Sequence, residues 1–178
     1  MHLEYNRKRL FSFTARFNER FVGINGVQYL QRQSKEGGDM AISLFINLNG
    51  NRREAVLFYA DAFRKPAPEF MTFADAPPDP DYKVNEKNAG LIMFTSLNIE
   101  GNNLMLSDIP EGWPHKVGNN IGITLVLKDM DEVKRLLTKV AEEGEVTMPL
   151  QETFWSRCYG NVTDKYGIQW QFSHEAGE

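Results

Sequence analysis

The chain has 178 residues, 42% of them hydrophobic and 25% charged, with a formal net charge of -4. That length suffices for one well-cored domain or two small modules, and the acidic balance gives no reason to expect nucleic acid or an anionic membrane as a partner. No run reaches the ~18 apolar residues of a membrane span, and the single cysteine, Cys158, has no internal disulfide partner, so the reducing cytoplasm is the default setting. Three histidines and one cysteine also make a structural zinc site of the usual kind an unexpected feature.

Charge is unevenly spread. Residues 1–39 carry seven Lys/Arg against four acids, and the remainder carries 13 against 20. Glu4 and Glu19 argue against a transit peptide, which would be poor in acids. Lys35 to Met40, KEGGDM, back-translates to a purine-rich ribosome-binding sequence ahead of an ATG. The expectation is that 1–39 is an N-terminal extension, read through from upstream of a natural start at Met40, with the domain proper at 40–178.

From there the pattern is regular. Ala41–Leu48 is an apolar run of strand length. Asn51 stands three residues before Glu54, the spacing of a capping box. Ala55, Phe58, Tyr59, Ala62 and Phe63 then follow at helical spacing, and Pro66 bars continuation. Glu69–Asp75 reads as a strand and 76–81, APPDPD, as a loop. Ala89–Glu100 and Asn103–Ser107 read as two strands about a tight turn at Gly101-Asn102. Two prolines and two glycines make 109–118 a linker, with Trp113 as a packing plug.

The same series then recurs. Ile121, Ile123, Leu125 and Leu127 alternate with Asn120, Gly122, Thr124 and Val126; the first set suits a helix-covered face and the second a cleft. Asp129-x-x-Glu132 caps a helix with Val133, Leu136, Leu137 and Val140 on one stripe, and Gly144 is placed to end it. Strands are expected at Glu145–Met148, Phe154–Gly160 and Ile168–Phe172. The chain thus spells strand–helix–strand–strand–strand twice, about 40–108 and 119–173. The fold class is α+β, two paired βαβββ modules making a curved mixed sheet with helices on its convex face and an open concave side.

The densest aromatic stretch is 149–172, with Phe154, Trp155, Tyr159, Tyr166, Trp170 and Phe172. Any one of these serves a core well; together with interleaved polar groups they suit a small-molecule cleft. Arg157 would hold an anionic group bidentately if turned inward, and Glu152 would serve as a base. Cys158, with no histidine visibly paired to it, reads as a small apolar packing residue.

NGNRREAVLFYADAF (49–63), GNNLMLSD (101–108), GNN (118–120) and MPLQETFW…YGNVTDKYGIQW (148–170) resemble the PhnB-like branch of the vicinal oxygen chelate superfamily, the group of glyoxalase I, bleomycin- and fosfomycin-resistance proteins and extradiol dioxygenases. The resemblance covers nearly all of 40–178 and none of 1–39. It implies paired βαβββ modules and commonly a homodimer. Ser156 stands where relatives often carry Gly. Metal-using members hold a divalent ion with His and Glu from inner strands. By motif those positions fall here on Met105, on Asn120 or Gly122, and on Gln171, none a strong ligand. The expectation is no metal centre and no cofactor. Some PhnB-like proteins are labelled demethylubiquinone methyltransferases, yet no Gly-rich strand–loop–helix motif for a nucleotide-like cofactor is present.

The reading is a binding protein for a small aromatic or apolar ligand, with Asn120, Gln151, Phe154, Trp155, Arg157, Tyr159, Trp170 and Gln171 lining the cleft. Two alternatives stay open: a lyase- or dioxygenase-type enzyme with rearranged metal ligands, and a dimeric interaction module whose cleft is vestigial.

Overall fold

The computed structural model describes residues 44–77, 83–110 and 112–175, so the expectations for 1–39 and for 41–43 of the first strand lie outside the described residues. The first module runs β1 (Leu44–Leu48), α1 (Arg52–Ala62), β2 (Met71–Thr72), β3 (Ile92–Ile99) and β4 (Asn102–Asp108). The second runs β5 (Gly122–Leu127), α2 (Met130–Val140), β6 (Glu145–Gln151), β7 (Tyr159–Thr163) and β8 (Gln169–His174). The modules form two four-stranded mixed sheets with strand orders β1-β4-β3-β2 and β5-β8-β7-β6. The orders correspond strand for strand, so the repeat read from the sequence is a repeat of topology.

In each module the helix covers one face of its own sheet: α1 packs on β3 and β4, and α2 on β5, β7 and β8. Alternation decides which side chains meet it. In the first module Ile46, Leu48, Leu97, Leu104 and Leu106 are buried, as are Ala55, Val56 and Tyr59 of α1. In the second the expected stripe Val133, Leu136, Leu137 and Val140 is buried throughout. Each such aliphatic side chain contributes roughly 1.5–3 kcal/mol by leaving water. Of the four residues expected to cover α2 from β5, Ile123, Leu125 and Leu127 are half-buried, whereas Ile121 precedes the strand and is exposed.

Several local expectations are corrected. Asn51 makes no side-chain cap, and Glu54 turns away to accept from Tyr166 Oη at 3.0 Å and to pair with Lys165 Nζ at 2.9 Å. The free amides at the start of α1 are met instead by Asp108, 56 residues on: Oδ1 accepts from Gly50 N (3.1 Å) and Arg52 N (3.3 Å), and Oδ2 from Ile92 N (2.8 Å). A carboxylate there also suits the positive end of the helix dipole. By contrast Asp129 caps α2 locally, accepting from Asp131 N (2.9 Å) and Glu132 N (3.4 Å). Glu132 does not close the box but pairs with Arg135.

Of the expected strand Glu69–Asp75, only Met71–Thr72 pairs, and Phe73–Asp75 curls into a 3-10 turn closed by Thr72 and Asp75. The turn between β3 and β4 falls one residue early, with Glu100 and Gly101 both at positive φ. After α2 the left-handed residue is Glu143, at φ 59°. Gly144 is required for a different reason. A Cβ there would lie 2.5 Å from Thr163 O and 2.9 Å from Asp164 Cα, so only glycine lets β6 start this close to the end of β7.

The modules are joined by buried polar contacts as well as by packing. Asp164, in the β7–β8 turn, accepts at Oδ1 from Tyr166 N and Ile168 N (2.9 Å each). Its Oδ2 accepts from Trp170 Nε1 (2.8 Å) and, across the modules, from Tyr59 Oη on α1 (2.6 Å). Burial, then the charge of Asp164, hold the Tyr59 hydroxyl well above its ordinary pKa, so it stays a donor. Around this knot Tyr59, Phe63, Tyr166 and Trp170 lie ring to ring, with centroids 5.4–5.9 Å apart.

Candidate ligand-binding face

The second sheet turns one face to α2 and leaves the other uncovered by either helix. Gly160 fixes which is which, because a Cβ on it would meet Leu137 Cδ1 of α2 at 2.6 Å. Its neighbours Tyr159 and Asn161 therefore point away from α2. The register carries the assignment across: Tyr159 stands opposite Ser173, Asn161 opposite Gln171 and Thr163 opposite Gln169, while Thr124 of β5 lies beside Gln171. Gln151 of β6 pairs with Tyr159. The open face is thus built from Gly122, Thr124 and Val126, from Gln169, Gln171 and Ser173, and from Tyr159, Asn161, Thr163 and Gln151. Glu145 of β6, opposite Thr163, adds a carboxylate at the edge of this face; the other side chains named are uncharged.

Two arrangements stand out on it. Thr124 Oγ1 donates to Gln171 Oε1 at 3.0 Å. That contact orients the Gln171 amide so that Nε2 lies over Gly122, 3.5 Å from where a Cβ would be. The second is a ladder of rings. Phe154 meets Trp155 edge-on with centroids 4.5 Å apart, and Trp155 meets Tyr159 edge-on at 5.5 Å. Phe154 is 97% exposed and Trp155 48%.

The ladder is held out by its loop. The expected strand Phe154–Gly160 begins only at Tyr159, and 152–158 is irregular. Thr153 and Ser156 close a turn: Thr153 N donates to Ser156 O (2.8 Å), and Ser156 N to Thr153 Oγ1 (3.1 Å). The Ser156 hydroxyl then points at the carbonyls of Cys158 (3.0 Å) and His174 (2.9 Å), tying the loop to the end of β8. Phe154 and Trp155 sit at the tip of that turn. A glycine at 156 would lack this tie. Ser156 and Cys158 are buried and Arg157 is exposed, the alternation expected of a strand though the segment is a loop.

Tyr159 and Gln171 share the open face, Gln151 is opposite Tyr159, and Phe154 and Trp155 extend the face through Tyr159. Asn120 is exposed on the segment leading into β5, and Arg157 is exposed on the loop. Trp170 is elsewhere: it is 1% exposed, on the α2 side of β8, bonded to Asp164. Thr124, Asn161 and Gln169 were not singled out from the sequence. The alternation that put Thr124 on the cleft side was their signal, together with the reverse alternation about Trp170 and Phe172.

The positions where the resemblance puts metal ligands carry weak donors. Gly122 and Gln171 are adjacent on the open face, but one offers no side chain and the other an amide already bonded to Thr124. Met105, on β4, offers a thioether and is buried. This donor set does not fit a divalent ion of the kind the resemblance implies, which is held by carboxylate and imidazole. Among the described residues no group of three or more His, Cys, Asp or Glu side chains is placed to hold a metal.

Two βαβββ modules of matching strand order, each with a helix on one face of its sheet, define a class of α+β proteins built from paired modules. Within it the chain belongs to the PhnB-like family described as 3-demethylubiquinone-9 3-methyltransferase, whose model matches residues 38–173. The chain is 31% identical to the crystal structure of protein PA1353 from Pseudomonas aeruginosa, over 76% of this chain and 98% of that one, with a TM-score of 0.67. It is 28% identical over 142 residues to protein YjdN of Escherichia coli K12, covering 75% of this chain and 95% of that protein. A PhnB protein from Bacillus cereus, titled a putative 3-demethylubiquinone-9 3-methyltransferase, shares the fold at 20% identity, a TM-score of 0.56 and 76% and 99% coverage. No helix among the described residues is long and apolar enough to cross a membrane.

Proposed function

We propose that this protein binds a small aromatic or apolar molecule on the open face of its second sheet, without the metal centre of its superfamily. The observation that carries the reading is the exposed ring ladder Phe154–Trp155–Tyr159 running onto a face of amide and hydroxyl side chains. Exposed rings beside oriented polar groups are what a ligand pocket needs. Methyl transfer, named in the family's description, is not part of this reading. The strand-to-helix turns at 49–51 and 128–129 hold one glycine between them and do not form a cofactor cradle of the Gly-rich kind.

The protein is read as a cytoplasmic homodimer. Ile121 at 71% and Val117 at 55% exposure give a second copy apolar surface to cover. Light scattering after gel filtration checks this, with twice the chain mass expected and the single-chain mass contradicting it. The binding reading is tested by thermal shift against small aromatic molecules, with and without divalent metal. A ligand-dependent rise in Tm that is indifferent to metal is expected, since a ligand binding only the native state stabilises it. A rise that requires metal favours a metal-dependent enzyme instead.

A further inference from the structure

We infer that the ligand is a neutral aromatic molecule carrying a carbonyl-type oxygen, and that Gln171, oriented by Thr124 over Gly122, is the residue that selects it; this rests on the binding reading above. Thr124 Oγ1 holds Gln171 Oε1 at 3.0 Å, so the amide's acceptor is engaged. Its Nε2 group keeps two donor hydrogens, and among the described residues no acceptor meets them. The backbone at Gly122 lies beside that donor without a side chain to cover it. Donors that are oriented but unmet favour an acceptor on the ligand, because desolvating them unpaired is costly.

Charge on the ligand is disfavoured by the same face. Gln151, Gln169, Gln171, Asn161, Tyr159 and Thr124 bring amides and hydroxyls, and the charged side chain on the face, Glu145 opposite Thr163, lies at the end of β7 away from Tyr159. A carboxylate would lose hydration there without a partner, and an ammonium group would find one only at Glu145, away from the ring ladder. The exposed Arg157 is the cation nearest in sequence to the ladder, so an anionic preference would have to run through it. The ring system of the ligand has its own surface: Tyr159 lies two residues along the register from Gln171's partner Asn161, on the same face, and leads to Trp155 and Phe154. A flat ring against this ladder with its oxygen toward Gln171 uses both arrangements at once.

The test compares 1-naphthamide, naphthalene and 1-naphthoate by ligand-observed NMR titration of the full chain. The amide is expected to bind about 3- to 10-fold tighter than naphthalene, the range of one net hydrogen bond, and naphthoate weaker than both. Gln171→Leu is expected to bring 1-naphthamide down to the level of naphthalene and to leave naphthalene unchanged. Gly122→Ala makes only ordinary contacts and should fold normally, yet it covers the donor and should weaken the amide alone. An unchanged amide-to-naphthalene ratio in Gln171→Leu overturns the inference while leaving the binding reading intact. Tightest binding by 1-naphthoate, lost in Arg157→Gln, also overturns it. Binding by none of the three sinks both.

Discussion

The two modules share a strand order but solve the same problems differently. The first anchors its helix from a distance, with Asp108 at the end of β4 reaching the amides of Gly50 and Arg52. The second caps its helix from the preceding residue, Asp129. The first joins its last two strands by a tight turn at Glu100-Gly101, whereas the second uses the longer 164–168 turn to reach across to α1. Consequently the first module carries the buried Arg52 and Asp108, and the second carries the buried Asp164 that ties it to its neighbour and an open aromatic face. A repeat in topology leaves the polar chemistry free to diverge, because helix covering needs only apolar residues at the right period, while caps and turns can be supplied locally or from afar.

Breaking the tie between modules should cost most. Asp164→Ala leaves Tyr59 Oη, Trp170 Nε1 and two turn amides unpaired in a buried place, and a loss of ~4 kcal/mol is expected from groups worth about 1–3 kcal/mol each when orphaned. Urea unfolding measures it, and a loss below ~1 kcal/mol would mean that the knot is dispensable. The contrast in capping gives a smaller, paired effect. Asp129→Ala should cost ~1 kcal/mol, as exposed N-caps do, and Asp108→Ala about two to three times that, since it strands three amides, one of them on β3. Equal losses in the two variants would show that the distant cap is no more than a local one.

The sharpest difference in charge is at Arg52. It is buried in the first module, and its Nη1 donates to the carbonyl of Ile92. Burial pulls its pKa down to about 9, against the opposing pull of Asp108. The unfolded chain keeps the ordinary high value, so below about pH 9 both states are charged and the burial cost is paid in full. As pH rises through 9 the native state sheds its proton first and that cost is relieved. Wild type should therefore gain on Arg52→Met by about 1.4 kcal/mol between pH 8 and 10. A flat difference across that range would show that the guanidinium stays charged in the fold.

Much of this molecule was legible in the sequence. Hydrophobic periodicity located both helices and the stripe Val133, Leu136, Leu137 and Val140, and alternation along 120–127 separated the covered face from the open one. The doubled order of elements and the motif in 148–170 pointed to the family to which the chain belongs. What failed did so where chain neighbours were outbid by distant ones. A capping box at Asn51 and Glu54 is good local chemistry, but Asp108 arrives from another strand, and Glu54 is drawn to Lys165 and Tyr166. Trp170 looked like a cleft residue beside Gln171; a single step of strand alternation sends it to the opposite face and into hydrogen bonding with Asp164. The segment 154–158 has strand-like composition, yet Thr153 and Ser156 close it into a turn, and no periodicity reveals such a closure.

The most direct test of the account is the melting temperature of wild type and of Phe154→Ala/Trp155→Ala, each with and without saturating 1-naphthamide. Both side chains are exposed, so the unliganded proteins should melt within a few degrees of each other, while the ligand-dependent rise seen in wild type should vanish in the double variant. A rise of the same size in both proteins would place the ligand away from the ladder and contradict the account.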